Sequence, residues 1–334
     1  MFNSQGRLGN QMMDYATIYV VARELGYVGF LDNAHDNLNR IFKHIELPDL
    51  GEPCRTRLEK SHWDTTTGRK FLELSYNRST NASDMAKVTA SCDTVVFGHY
   101  EWVPVLFLKY LDELKFQFQF RDLFMNEALT TIDLVSRLYL GNTKPPLFVG
   151  VHVRRGDYQN HFNDLYHIKL LGPEFYVKAM EYFNDKYSDK HLVIFLAVTD
   201  DNDWVNKHLK FEHFYVVSKT ANADMALLSI CNHTITDYGT FGFWPSLFHG
   251  GEHYTTNVYE DFIVAPMYQI KGWTVVSVTT PLSTGHNINL EMWQDRTNLV
   301  TPQPENPVFI ELGNTGSSKA SNSLAGSSST TITR

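Results

Sequence analysis

The stretch Leu147-Phe-Val-Gly-Val-His152-Val-Arg154-Arg155-Gly156-Asp157-Tyr158 decides the architecture. It follows Lys144-Pro145-Pro146, which propagates neither a helix nor a central strand, and it opens on a continuous apolar run. Such a run, without polar alternation, predicts a strand buried on both faces, as in parallel sheets covered by helices. The run then gives way to adjacent arginines, a glycine and an aspartate. A guanidinium offers a planar fork of donors matched to two phosphate oxygens and keeps its charge, so this strand exit reads as a phosphate grip. Gly156 lets the backbone turn close to a ligand, and Asp157 can hold one arginine in place. The bland alternative is a solvated pair of arginines balanced by Asp157.

Outward from that strand, apolar segments at 192–198, 213–218, 233–236 and about 257–264 alternate with helices expected at 173–187, 203–209, 223–231 and 241–249. This rhythm predicts a doubly wound parallel βα sheet, whose ligands bind beyond the carboxyl ends of the strands. Upstream, a helix is expected over Met12–Leu25, stopped by Gly26, then a short strand at Thr94–Gly98 and helices over Trp102–Gln119 and Phe124–Leu140. The proline pair marks the domain boundary: a first domain over 1–145, a second over 146–300, and a low-complexity tail over 301–334. Residues 313–334, mostly Ser, Thr, Gly and Asn, have almost nothing to bury and are expected to be disordered.

Composition narrows the function classes. Lys and Arg number 29 against 37 Asp and Glu, a formal charge of −8 that provides no global field for nucleic acid or anionic lipid. An anionic ligand therefore needs a local site. Cys54, Cys92 and Cys231 lie far apart with no CxxC pair, which excludes a zinc ribbon or a thioredoxin-type centre. No apolar run reaches the roughly 18 to 20 residues that span a bilayer, and Met1–Gly6 lacks the pattern of a signal peptide. Of the sequons at Asn77, Asn81 and Asn232, the first two lie in a polar region suited to a glycan.

Three further segments fall where a ligand is expected. Gly6-Arg7-Leu8-Gly9-Asn10-Gln11 feeds a helix, whose N-terminal amides and positive dipole end suit an anion, while Asn10 could instead cap that helix. It matches neither the dinucleotide fingerprint GxGxxG nor the Walker lysine loop, which argues against NAD and ATP enzymes. Thr234-Ile-Thr-Asp-Tyr-Gly239-Thr240-Phe241-Gly-Phe-Trp244 runs from strand through a small-residue turn into a helix, either an anion cradle or a capped core helix. Thr199-Asp200-Asp201 ends another strand; its carboxylates suit a metal, a ribose, a guanine or a helix cap.

Taken together, GRLGNQM, VHVRRGDY and CNHTITDYGTFGFW with Gly250-Gly251 resemble the alpha-(1,2)-fucosyltransferases, in particular the animal galactoside 2-alpha-L-fucosyltransferases. The resemblance runs from residue 6 to about 300, with the motifs in order. It implies a GT-B fold of two facing Rossmann-like domains, a GDP-fucose donor, a galactoside glycan acceptor, inversion at the anomeric carbon, and no cofactor or obligatory metal. Carried over by motif, it makes His152 a guanosine-side contact and Arg154 a β-phosphate contact, with Arg155 supporting the same site. Gly239, Thr240 and Phe241 match the loop that wraps the pyrophosphate, Gly9 and Asn10 the loop that closes over the fucosyl group, and Asp201 an acidic guanine-binding position. A Golgi-lumenal location is implied too, although the membrane anchor of those enzymes is missing from this sequence. For the base, Asp157 is the candidate beside the arginines, with Asp14 and Glu101 as other carboxylates in the acceptor-side half. Two alternatives stand beside this reading. One is a GDP-sugar-binding protein without transferase activity. The other is a metal-dependent GT-A transferase, for which Asp201-Asn202-Asp203 has the Asp-x-Asp spelling.

Overall fold

Gly26 ends the first helix as expected, in the left-handed conformation (φ 71°) that glycine adopts without strain. That helix, α1 (Leu8–Leu25), starts four residues before the expected Met12. In the computed structural model, which describes residues 6–31, 35–49, 102, 104–160, 162, 169–256, 270, 272–278 and 310–312, it is followed by α2 (His35–Ile41), α3 (Pro104–Phe107), α4 (Leu111–Gln117) and α5 (Asp122–Arg137). The single helix expected over 102–119 is thus two short ones. Between them, Lys109 and Tyr110 form tight turns, and both side chains reach Glu24 of α1, the lysine at 2.6 Å. The expected strand at 94–98 lies outside the described residues.

The second half builds β1 (Pro146–Val153), α6 (Pro173–Tyr187), β2 (Leu192–Thr199), α7 (Asn202–His208), β3 (Phe214–Val216), α8 (Ala221–Ile230), β4 (His233–Thr236), α9 (Thr240–Phe248), β5 (His253–Thr256), β6 (Trp273–Val278) and β7 (Ile310–Leu312). The strands form one seven-stranded, all-parallel sheet in the order β3-β2-β1-β4-β5-β6-β7. The α/β class and the doubly wound rhythm are as the sequence predicts. The strand expected near 257–264 falls outside the described residues, and the fifth strand is His253–Thr256 just before it. The segment 301–334 is corrected in one respect: Ile310–Leu312 pairs with β6 as the edge of the sheet. A three-residue edge needs only ladder hydrogen bonds along one side, so it leaves little trace in composition.

Side-chain alternation along β1 separates two cores. Leu147, Val149, Val151 and Val153 pack with α6, while Phe148 belongs to a larger cluster that includes α1, α4, α5, α8 and α9. Helix α1 is buried on every side from Met12 to Val21, so it is a central helix and not a surface one. Among the described residues, the first half is helical with isolated bridges Leu31↔Asp49 and Phe42↔Phe120, and it shares one apolar core with a face of the sheet.

Candidate active site

The strand order reverses between β1 and β4, and a crevice at the carboxyl ends of those two strands is where an open α/β sheet binds its ligand. The three motifs of the sequence converge there. Asp157, after β1, pairs with Arg154 and, at 3.1 Å, with Arg7 of the N-terminal motif. Asn10 Oδ1, in the first turn of α1, accepts a 2.5 Å hydrogen bond from Thr240 Oγ1 at the start of α9. The indole Nε1 of Trp244 donates to the Gly9 carbonyl at 3.1 Å.

The exit of β1 is tied from both sides. Asp237, at the end of β4, accepts the Arg154 amide at 2.5 Å, and Asp200, at the end of β2, accepts the Arg155 amide at 2.8 Å. Asp200 also pairs with the Arg154 guanidinium, which lies 4.8 Å over the Tyr158 ring. Burial pulls the affinity of Arg154 for its proton down from the ordinary value, an effect opposed by Asp157 and reinforced by Arg7. An arginine still carries its charge under such a shift. The site therefore holds two guanidinium groups bridged by one carboxylate, with a second carboxylate anchoring Arg154 from behind.

Two helix N-termini complete it. Neither α1, preceded by Arg7, nor α9, preceded by Gly239, has a side-chain cap, so no cap residue occupies the first-turn amides of either helix. Gly239 has φ 87°, and a Cβ there would meet the Tyr158 hydroxyl at 2.7 Å, so this turn admits glycine alone. A Cβ on Gly9 would meet Thr240 Oγ1 at 2.6 Å and the Phe241 amide nitrogen at 2.8 Å. Glycine at position 9 thus serves the approach of two helix starts to each other. Asn10 does not cap α1; it reaches across to α9.

Other expected residues are placed differently. Arg155 turns to a different side from Arg154, with its guanidinium 3.9 Å over Trp204 and bonded to the Leu171 carbonyl at 2.7 Å. It holds α6 and α7 to the strand exit instead of joining the grip. Asp201 caps α7, accepting the Trp204 amide at 2.9 Å; the carboxylate turned to the arginines is its neighbour Asp200. His152 is buried, stacked on Phe241 at 5.0 Å, with Nδ1 3.2 Å from Asp237 Oδ1. Asp14 is buried in α1 and accepts the Trp102 indole N–H at 2.6 Å; Glu101 lies outside the described residues. Sequence reasoning missed Arg7, Asp200 and Asp237 as site residues. Each stood inside a motif already singled out, but only the strand neighbours reveal what it faces.

Among the described residues, no group of three or more His, Cys, Asp or Glu side chains is arranged to hold a metal ion. What the crevice offers is two arginines, each paired with a carboxylate, beside two helix starts. Residues 1–265 match the sequence profile of glycosyl transferase family 11. The galactoside alpha-(1,2)-fucosyltransferase 2 of Hylobates lar is 29% identical over 257 residues, covering 75% of this chain and 69% of the relative. The galactoside 2-alpha-L-fucosyltransferase SEC1 of Bos taurus is 28% identical over 256 residues, covering 75% and 64%. Among solved structures, Arabidopsis thaliana FUT1 in complex with GDP is similar at a TM-score of 0.45 and 14% identity, over 76% of this chain and 69% of that one. With its motif loops gathered at the sheet's crossover and the family profile spanning both halves of the chain, the protein belongs to glycosyl transferase family 11.

Proposed function

We propose that the enzyme transfers L-fucose from GDP-fucose to the 2-hydroxyl of a galactose-containing glycan, with inversion to an alpha-1,2 linkage. The observation that carries this reading is Arg154, held at the crossover by Asp200 and Asp157 beside the uncapped start of α9. In the reaction, the bond from the anomeric carbon to the phosphate oxygen breaks and negative charge develops on the departing diphosphate. Arg154 and the amides at 240 and 241 neutralise that charge as it forms, the kind of interaction that lowers a barrier. In this reading the guanidinium and amides do the work of a divalent ion. Phosphate arriving at Arg154 takes the place of Asp157, which stays paired with Arg7 on the N-terminal side. Asp157 then accepts the proton of the attacking hydroxyl, which acidifies late, as its bond to the oxocarbenium-like carbon forms. Asn10, fixed to Thr240, positions the fucosyl group.

Names of the animal relatives support the acceptor and linkage, and we extend to this chain the Golgi-lumenal location that the resemblance implies. The GT-A alternative loses its support at Asp201, which is spent as a helix cap. The deciding experiment incubates the protein with GDP-fucose and a panel of galactosides, with and without chelator, measuring GDP release and product linkage. GDP release tied to an alpha-1,2 product, unchanged by chelator, is the expected result. Donor binding without transfer to any galactoside would return the reading to a GDP-sugar-binding protein, and loss of activity in chelator would favour a metal-dependent enzyme.

A further inference from the structure

Asp237 is the one carboxylate of the site that lies wholly out of solvent. An ionised carboxylate removed from water is costly unless donors surround it. Here Oδ2 accepts the Arg154 amide at 2.5 Å and the Tyr176 hydroxyl at 2.8 Å, and Oδ1 accepts its neighbour Tyr238's amide at 2.8 Å. His152 Nδ1 stands 3.2 Å from Oδ1, within electrostatic reach though not aligned as a hydrogen bond. One buried charge therefore joins the exits of β4 and β1, the strands between which the sheet order reverses.

We propose that Asp237 is a positioning residue for the donor: it sets the backbone from which Arg154 reaches phosphate and holds the ring proton of His152 on Nδ1. The inference rests on the donor reading given above. A carboxylate 3.2 Å from Nδ1 favours the N–H at that nitrogen by charge and leaves Nε2 as an acceptor. His152 in turn carries the Phe241 ring, stacked on it at 5.0 Å, so the same charge steadies the first turn of α9. Asp224 in α8 also interacts electrostatically with His152, and Phe241 stacks on its ring. Tyr176, in α6, donates to the same Oδ2 that takes the Arg154 amide and provides a graded comparison.

The test compares wild type, Asp237→Asn and Tyr176→Phe in the full chain, reading melting temperature, GDP affinity, and KM for GDP-fucose and for a galactoside separately. Asp237→Asn should weaken GDP and raise KM for GDP-fucose about ten-fold while leaving KM for the galactoside within two-fold. Tyr176→Phe, which keeps the carboxylate and removes one donor to it, should weaken GDP by less than Asp237→Asn does. Folded Asp237→Asn with wild-type GDP affinity would overturn the proposal, as would equal losses for both substrates, which mark a general loosening. Should Asp237→Asn not fold, nitrogen-15 spectra of wild-type histidines decide. A neutral His152 protonated on Nδ1 is expected; protonation on Nε2 overturns the proposal. If wild type binds no GDP, the donor reading fails, and the tautomer still reports on Asp237.

Discussion

At the scale of single residues, the site turns on what a fork can do that a point charge cannot. Arg154 meets Asp157, Asp200 and the face of Tyr158 at once. Lysine keeps the charge and loses the geometry. Arg154→Lys should therefore lower turnover by at least a hundred-fold in a coupled assay of GDP release, and near-normal turnover would refute the role given to the fork. Arg155, turned to a different side, predicts a different pattern: Arg155→Lys costs stability through the lost stacking on Trp204 and leaves turnover per folded molecule close to wild type. Asn10 and Thr240 share one hydrogen bond, so Asn10→Ala and Thr240→Val should each reduce fucosyl transfer more than GDP binding, and by similar factors. Different factors, measured by titration and steady-state kinetics, would show that the bond is not what matters. Which of two neighbouring residues faces the crevice was legible neither for the arginines, both of which the resemblance assigns to the phosphate site and which lie beyond the last residue of β1, nor for Asp200 and Asp201, where the start of α7 decides.

At the scale of elements, legibility followed burial chemistry. Strand β2 and helix α6 formed where the sequence placed them, since one is a continuous apolar run and the other has its apolar residues at helical spacing behind Pro173. Strand β5, His253-Tyr-Thr-Thr256, is buried along its length yet reads as polar. The Tyr254 hydroxyl is buried without a hydrogen-bond partner among the described residues, but the imidazoles around the strand are held: Thr234 Oγ1 lies 2.8 Å from His253 Nδ1 and 2.9 Å from His249 Nε2, and His233 Nδ1 accepts the Glu252 amide at 2.9 Å. Burial pushes the His249 imidazole down to about 4, lowers His253 strongly, and lowers His233 against the opposing pull of Glu252. Folded values below the unfolded value of about 6.5 mean that this stabilisation is complete above about pH 6.5 and is lost as pH falls toward 4, of order 3 kcal/mol for His249 alone. Asp224 works the other way: burial raises it to about 6, so its cost is relieved over the same interval. Comparing wild type with His249→Gln separates the two, because Asp224 is common to both. The stability advantage of wild type should shrink between pH 6.5 and 4.5 in thermal melts, and a constant difference would sink this account.

At the scale of the whole molecule, the sheet extends further along the chain than composition suggests. Removing residues 313–334 keeps β7 and should leave melting temperature and GDP affinity unchanged, whereas removing 309–334 takes β7 as well, bares one edge of β6 and should lower the melting temperature by several degrees. Equal effects of the two truncations would show that the edge pairing adds nothing. The halves of the molecule are joined where α1 meets α9, through contacts 230 and 235 residues apart in sequence. This has a consequence for synthesis. Helix α1 leaves the ribosome before α9, which follows only after some 230 further residues, about 10 to 50 s later at ordinary elongation rates. Throughout that interval the side of α1 destined for α9 has nothing to cover it. A nascent chain stalled before residue 240 should therefore recruit holding chaperones through residues 12–21, and it should release them once α9 has emerged.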